Sequence, residues 1–204
     1  HAFMLLLAFA APLLRLAGKE GFVVSALGDT GIGKSTMAQF MSSVYSTPKG
    51  AWVGREDSAL ARMQRMGAHH TLPVYMDEST TIPNKDLRDF VYMVSTGKSR
   101  TTMKADYTLR AGAEWATIFI TSTSDSLQAK LALEKQNPEA ESMRLFEFAF
   151  PKVPEFEPLA DIIPAVVAEN YGVAGAEYIR RLVIDRDEVK LQLPKAIKDI
   201  QNEF

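Results

Sequence analysis

The feature that most constrains this chain is the octapeptide Gly28-Asp29-Thr30-Gly31-Ile32-Gly33-Lys34-Ser35, which satisfies the spacing G-x-x-x-x-G-K-[ST]. It follows the β-rich run Phe22-Val23-Val24-Ser25-Ala26-Leu27 and precedes a helical pattern through Tyr45. The order strand, glycine loop, helix is therefore predicted. Glycines let the backbone turn tightly enough for its N–H groups to surround phosphate oxygens, and the helix N-terminus adds a favourable dipole. Lys34 is expected to neutralise the β- and γ-phosphates of ATP, and Ser35 to ligate Mg²⁺. The expected nucleotide-binding residues are Gly28, Asp29, Thr30, Gly31, Ile32, Gly33, Lys34, Ser35 and Thr36. The plainer alternative is an ordinary glycine turn before a helix; pattern and context together favour the phosphate loop.

Phosphate loops work with an acidic partner, and Val74-Tyr75-Met76-Asp77-Glu78 supplies one by setting two carboxylates at the end of an apolar strand. Ligands of parallel sheets bind at that edge. Asp77 is expected to hold magnesium through water, and Glu78 to orient and deprotonate the attacking water. By itself the pair reads equally as a helix cap. The strand Thr117-Ile118-Phe119-Ile120-Thr121-Ser122-Thr123 ends in hydroxyls that either sense the γ-phosphate or serve as turn chemistry. Arg144 precedes a last strand, where a guanidinium could reach a neighbouring subunit's nucleotide and stabilise the phosphoryl-transfer transition state. A solvated charge is the other reading, and Arg55, Arg62 and Arg65 are rivals for the role.

The rest of the chain is consistent with an α/β domain. The apolar stretch from Ala2 to Leu14 is interrupted by Pro12 and Arg15, short of the roughly 20 residues a membrane span needs, so a buried helix is predicted within residues 1–18. Helices are also predicted over 58–66, ending at Gly67, and over 84–94, 126–135 and most of 161–204. Strands are predicted over 73–76, 116–121 and 144–150, with a weaker one at Ala51-Trp52-Val53 and a possible short strand pair over 185–193. Alternating strands and helices imply a mainly parallel sheet with right-handed crossovers. Residues 99–112 alternate polar and apolar side chains about Lys104-Ala105-Asp106, the pattern of a hairpin. The division expected is a core over 1–158 and a mainly helical extension over 159–204, reached through the Pro-rich 151–158.

Across 204 residues the net charge is −2, which excludes a wholesale basic coat for nucleic acid. Positive charge gathers locally, at Lys98, Arg100, Lys104 and Arg110 around the hairpin, where it would contact phosphates without reading sequence or else form a solvated face. The chain has no cysteine, so disulfides, thiol nucleophiles and Cys-type zinc sites are excluded. His69 and His70 lack a third ligand at suitable spacing, and Trp52 and Trp115 read as core. A chain opening at His1 rather than Met, without the basic start of a secretory signal, reads as a fragment or processed product.

Taken in order, these segments resemble the helicase-like ATPases of phages, prophages and plasmids that follow or accompany primases, a group related to superfamily 3 helicases in the AAA+ class. The likeness rests on Phe9 to Leu14, the phosphate loop, Leu72 to Glu78, Val91 to Val94 with Gly97-Lys98 and Arg100, the strand to Thr121, Met143-Arg144-Leu145, and Asn170 to Gly175. It implies an AAA+-like phosphate-loop fold with an inserted β-hairpin, a hexameric ring with nucleotide between subunits, and ATP hydrolysis coupled to unwinding of DNA. Single-stranded DNA would pass through a central channel against the hairpin, with Lys104 the leading contact and Arg100 and Lys98 beside it. Glu78, Lys34, Arg144 and Thr123 are the catalytic residues so implied, and Ser35 and Asp77 the metal ligands. Where relatives carry an asparagine after the fourth strand, this chain has Thr121-Ser122-Thr123, leaving Thr123 and Ser122 as candidate sensors. A primase domain or partner upstream and a cytoplasmic location, that of the host for a phage protein, follow from the same likeness; a loader or remodeller of proteins and a small-molecule kinase are the rival functions.

Overall fold

The computed structural model describes residues 1–99, 102–103, 109–110, 112–134 and 139–203. In chain order the elements are α1 (Ala2–Ala10), α2 (Leu13–Leu16), β1 (Phe22–Leu27), α3 (Lys34–Ser43), α4 (Ala59–His69), β2 (Val74–Met76), α5 (Asn84–Thr96), β3 (Thr102–Met103) and β4 (Leu109–Arg110). They continue with β5 (Ile118–Thr123), α6 (Leu127–Glu134), α7 (Glu139–Ser142), β6 (Leu145–Ala149), α8 (Glu157–Glu169), α9 (Val173–Ile184) and α10 (Arg186–Glu203).

Strand side chains alternate faces, and here both faces are apolar. Val23, Val74, Met76 and Phe119 enter one core with Leu87, Phe90 and Val91 of α5 and Leu127 and Leu131 of α6. Val24, Ala26, Tyr75, Ile118 and Ile120 enter a second core with Met4 and Leu7 of α1 and Met37 and Met41 of α3. A sheet covered on both faces is what continuous apolar strands call for. Its order is β2-β5-β1-β6, with every pairing parallel. Trp52 adds one parallel bridge to Tyr75 outside β2, so the weakly predicted strand at 51–53 contributes a single bridge. The result is an α/β fold of AAA+-like architecture with a helical C-terminal extension, as the sequence implies.

β3 and β4 pair antiparallel with Thr102 opposite Arg110 and Met103 opposite Leu109, and Lys98 bridges Glu114 at their base. This is the expected hairpin. Lys104 and Arg100 lie outside the described residues.

Three expectations are corrected. The N-terminal helix divides at Pro12, whose ring and missing N–H end α1. The Ala8 carbonyl four residues back accepts from Tyr45 Oη at 3.1 Å instead. Helix α4 continues through Gly67 to His69, because the missing side chain admits Ala113: a Cβ at Gly67 would lie 2.4 Å from that of Ala113. Residues 186–193 are helical, the first turns of α10, and no strand pair forms there. Among the described residues, no helix is long and apolar enough to cross a membrane.

The extension is fastened to α3. Gly172 N–H donates to Ser43 O at 2.7 Å and Gly175 N–H to Val44 O at 2.8 Å, taking carbonyls that the end of α3 leaves free. At the other end of α3 the Phe156 ring lies against Gly33, so close that a Cβ there would fall 2.6 Å from it.

Candidate nucleotide site

The loop after β1 turns through two glycines in the left-handed region, Gly31 at φ 83° and Gly33 at φ 92°, a conformation that costs other residues strain. Helix α3 starts immediately afterwards with no side chain capping it. Its first-turn N–H groups therefore point, unpaired within the helix, into the mouth of the loop. A Cβ at Gly31 would meet nothing within 4 Å, so the cradle is open on that side.

Lys34 is buried, with its Nζ donating to Gly28 O at 2.5 Å and Asp29 O at 2.7 Å. Among the described residues no carboxylate forms an ion pair with it. A desolvated ammonium held by carbonyls is a costly arrangement, which an anion in the loop would relieve.

Ser35, one residue on, turns toward the end of β2. Its Oγ lies 3.1 Å from Asp77 Oδ2 and 3.2 Å from Oδ1. Adjacent oxygens around an octahedral Mg²⁺ at about 2.1 Å are about 3 Å apart, so this hard-oxygen pair fits that cation in chemistry and spacing. The carboxylate also accepts from Ser122 Oγ at 2.5 Å and Tyr75 Oη at 3.4 Å. Burial, and then the charge of Asp77, push the Tyr75 phenol above its ordinary range and keep it protonated.

Glu78 has φ 53° and ψ 65°, a left-handed backbone, and it lines an open cleft of about 490 Å³. The cleft is lined in part by Thr80, Asn84, Ser124 and Lys130. Ser122 Oγ accepts from the Glu78 N–H at 3.2 Å, and Ser124 Oγ donates to Glu78 Oε1 at 3.3 Å. Lys130 does not reach the carboxylate; its Nζ donates to the carbonyls of Thr80 and Ile82 at 2.6 and 2.8 Å.

The loop, Lys34, Ser35, Asp77, Glu78 and Ser122 thus converge at the C-terminal edge of the sheet. Thr123 does not join them. It is fully buried on the other face of β5, its Oγ1 bonded to Ser25 Oγ at 3.0 Å, and Thr121 pairs with Ser79 on that same face. Arg144 lies at the opposite end of the sheet, where its carbonyl accepts from Val23 N–H at 2.9 Å, and its guanidinium donates to Ala140 O and stands 5.5 Å from the Tyr92 ring centre. Its rivals are engaged too: Arg65 with Asp57 at 2.9 Å, Arg62 with Arg55 O at 2.7 Å, and Arg55 with Glu56 at 3.5 Å. Lys98 is exposed at the hairpin base. Burial holds His69 below its ordinary pKa, and no group of three or more His, Asp or Glu able to hold a metal occurs among the described residues. Trp115 is core, its Nε1 donating to Val94 O at 3.0 Å.

Sequence reasoning missed Tyr75, Ser124 and Phe156 as neighbours of the site. Tyr75 had a signal, since strand alternation puts it on the same face as Asp77; Phe156 had none, because its approach to Gly33 depends on the path of a distant segment.

A family model described as "Domain of unknown function (DUF927)" matches residues 1–113, from α1 through the hairpin. The chain belongs to the DUF927 family. The match takes in the phosphate loop, Asp77 and Glu78, so the site described above lies within the DUF927 segment except for the hydroxyls of β5 and the turn after it. No curated protein matches the chain. Among solved structures, one described as "SCCmec type IV Cch - active helicase" is similar over 98% of this chain at 20% identity, with a TM-score of 0.78. This DUF927 chain spans 38% of that protein's length. NtrX from Brucella abortus in complex with ATP (14% identity, TM-score 0.43, 80% of this chain and 43% of that one) and an inhibitor-bound JCV helicase (12%, 0.44, 94% and 56%) also match. The first likeness is one of fold; the other two fall below the level at which a shared fold follows.

Proposed function

We propose that this DUF927 chain is the ATP-hydrolysing motor domain of a phage or plasmid replicative DNA helicase. The observation that carries the reading is the meeting of an open glycine cradle, a buried ammonium that pairs with no carboxylate among the described residues and a Ser35–Asp77 oxygen pair at one sheet edge. The fold likeness to a protein described as an active helicase supports it.

In this reading the N–H groups of Gly31 to Thr36 and the Nζ of Lys34 bind the phosphates of ATP. Ser35 and Asp77 are the residues that would hold Mg²⁺, which when bound supplies positive charge to the phosphate oxygens. Glu78 accepts the proton of the attacking water, and its place beside an open cleft leaves room for that water. Ser122, rather than Thr123, is the hydroxyl suited to respond to the γ-phosphate, because it already donates to the Asp77 carboxylate and accepts from the Glu78 backbone N–H. Arg144, at the far end of the sheet from its own loop, suits a role at a neighbouring subunit's nucleotide in a hexameric ring. Lys98, with Arg100 and Lys104, is assigned to single-stranded DNA in the central channel. Residues 1–158 form the motor core and 159–204 its extension, a primase domain or partner acts alongside, and the site of action is the cytoplasm.

The test is the rate of ATP hydrolysis with and without single-stranded DNA, at low and moderate salt, with Lys34→Ala as the blank. Stimulation by DNA that fades with salt is expected. Glu78→Gln is expected to retain ATP while turnover falls by about 10²–10⁴, the contribution of a positioned general base. Turnover unchanged in Glu78→Gln overturns that assignment, and hydrolysis indifferent to DNA moves the function to remodelling of a protein partner.

A further inference from the structure

Tyr75 is a polar residue where packing alone asks for an apolar one. It sits mid-strand in β2, 3% exposed, in the apolar layer beneath α3. It is held on every side: by Ile120 across β5, by the Trp52 ring at 4.6 Å between centroids, and by backbone bonds to Ala51 O (2.9 Å) and from Val53 N–H (2.7 Å). Phenylalanine would fill the same space without burying a hydroxyl, which is unfavourable unless the group finds a partner. Its partner is Asp77 Oδ1 at 3.4 Å, two residues on and just past the end of β2.

The bonds to Asp77 are unequal between its two oxygens. Oδ1 accepts from Ser122 at 2.5 Å and Tyr75 at 3.4 Å, with Ser35 Oγ at 3.2 Å; Oδ2 has Ser35 alone, at 3.1 Å. Donors that occupy one oxygen fix the plane of a carboxylate and leave the other free to accept. We infer that Tyr75 is a positioning residue for the divalent-cation site: with Ser122 it holds Oδ1 of Asp77, so that Oδ2 and Ser35 Oγ are the oxygens offered to the cation or to its water. The phenol's longer bond makes it the weaker of the two restraints, and a rigid one, since the strand cannot withdraw it. The inference rests on the ATPase reading above.

The experiment uses the full chain with Mn²⁺ as probe. Mn²⁺ affinity in the presence of ADP is read by the loss of its free-ion electron paramagnetic resonance signal, and metal-free nucleotide affinity by a fluorescent ADP in EDTA. In Tyr75→Phe, Mn²⁺ affinity is expected to fall about tenfold, at the lower end of what partners behind a metal ligand contribute. Fluorescent ADP binding in EDTA and the thermal midpoint are expected to stay within twofold and about 2 °C of the parent. Ser122→Ala, which removes the closer restraint, is expected to lose more Mn²⁺ affinity than Tyr75→Phe. Unchanged Mn²⁺ affinity in Tyr75→Phe overturns the inference while leaving the ATPase reading intact. Equal losses of Mn²⁺ and metal-free nucleotide binding assign Tyr75 a purely structural role and overturn it too. A parent chain that binds no nucleotide in either condition overturns the ATPase reading, and the inference with it.

Discussion

Gly175→Ala is expected to destabilise the chain by about 3 kcal/mol, because the start of α9 rests directly on the end of α3. A Cβ at position 175 would lie 2.3 Å from the Val44 carbonyl oxygen and 2.3 Å from Cδ1 of Tyr45. Ordinary contact begins near 3.4 Å, so α9 must retreat by roughly 1 Å. That retreat stretches the bonds from Gly175 N–H to Val44 O, now 2.8 Å, and from Gly172 N–H to Ser43 O, now 2.7 Å, beyond useful length. Two bonds are worth about 2 kcal/mol net and the overpacking about 2 kcal/mol more. Alanine's better helix propensity returns about 1 kcal/mol. For a chain of this size each kcal/mol moves the melting midpoint by roughly 2–4 °C, so a fall of about 6–12 °C follows. Thermal unfolding followed by far-ultraviolet circular dichroism measures it. Val173→Ala, at a side chain 78% exposed on the same helix, should shift the midpoint by no more than about 2 °C. A Gly175→Ala midpoint equal to or above that of the parent would refute the reasoning, since the contact between α9 and α3 would then be dispensable.

Phe119 is fully buried in β5 with the Phe90 ring edge-on at 4.8 Å, so Phe119→Ala should cost about 3–5 kcal/mol; denaturant titration measures this, and a loss under 1 kcal/mol would mean the core is loosely packed. Glu177 is gripped by Arg180 at 2.8 Å and Arg181 at 2.7 Å, which hold its pKa down at about 2. A depressed carboxylate stabilises the fold above its unfolded pKa, so this contribution is complete above about pH 4.5 and is lost as pH falls through about 2. A carbon-13 titration of the Glu177 carboxyl tests it: the midpoint should lie near 2 at low salt and rise as salt screens the pair, whereas an ordinary midpoint at low salt would show that the arginines do not hold it.

The phosphate loop and the acidic pair were legible because each is a contiguous run whose backbone does the positioning. The central strands were legible because Phe22 to Leu27 and Ile118 to Thr123 are apolar on both faces, a pattern that only a covered sheet satisfies. Which of Ser122 and Thr123 lies on the side of the loop was not, because adjacent strand residues face opposite sides and only the register with β1 and β2 sets which side that is. The run Val189-Lys190-Leu191-Gln192-Leu193 alternates like a strand, yet Val189 and Leu193 are also one helical turn apart, and Lys, Leu and Gln are good helix formers. With Leu191 80% exposed no sheet face exists for that alternation to cover, and helix prevails. Gly67 misled for a tertiary reason: a glycine within a helix reads as its end unless one knows that Ala113 packs against it.

Ser122 has a single hydroxyl proton and serves two masters with it. The proton goes to Asp77, and the oxygen's lone pair takes the N–H of Glu78. A phosphate oxygen that required a donor from Ser122 would have to compete with Asp77 for that one proton, while the oxygen's second lone pair lets it keep the Glu78 N–H. The Asp77 carboxylate and the Glu78 backbone are therefore joined through one hydroxyl.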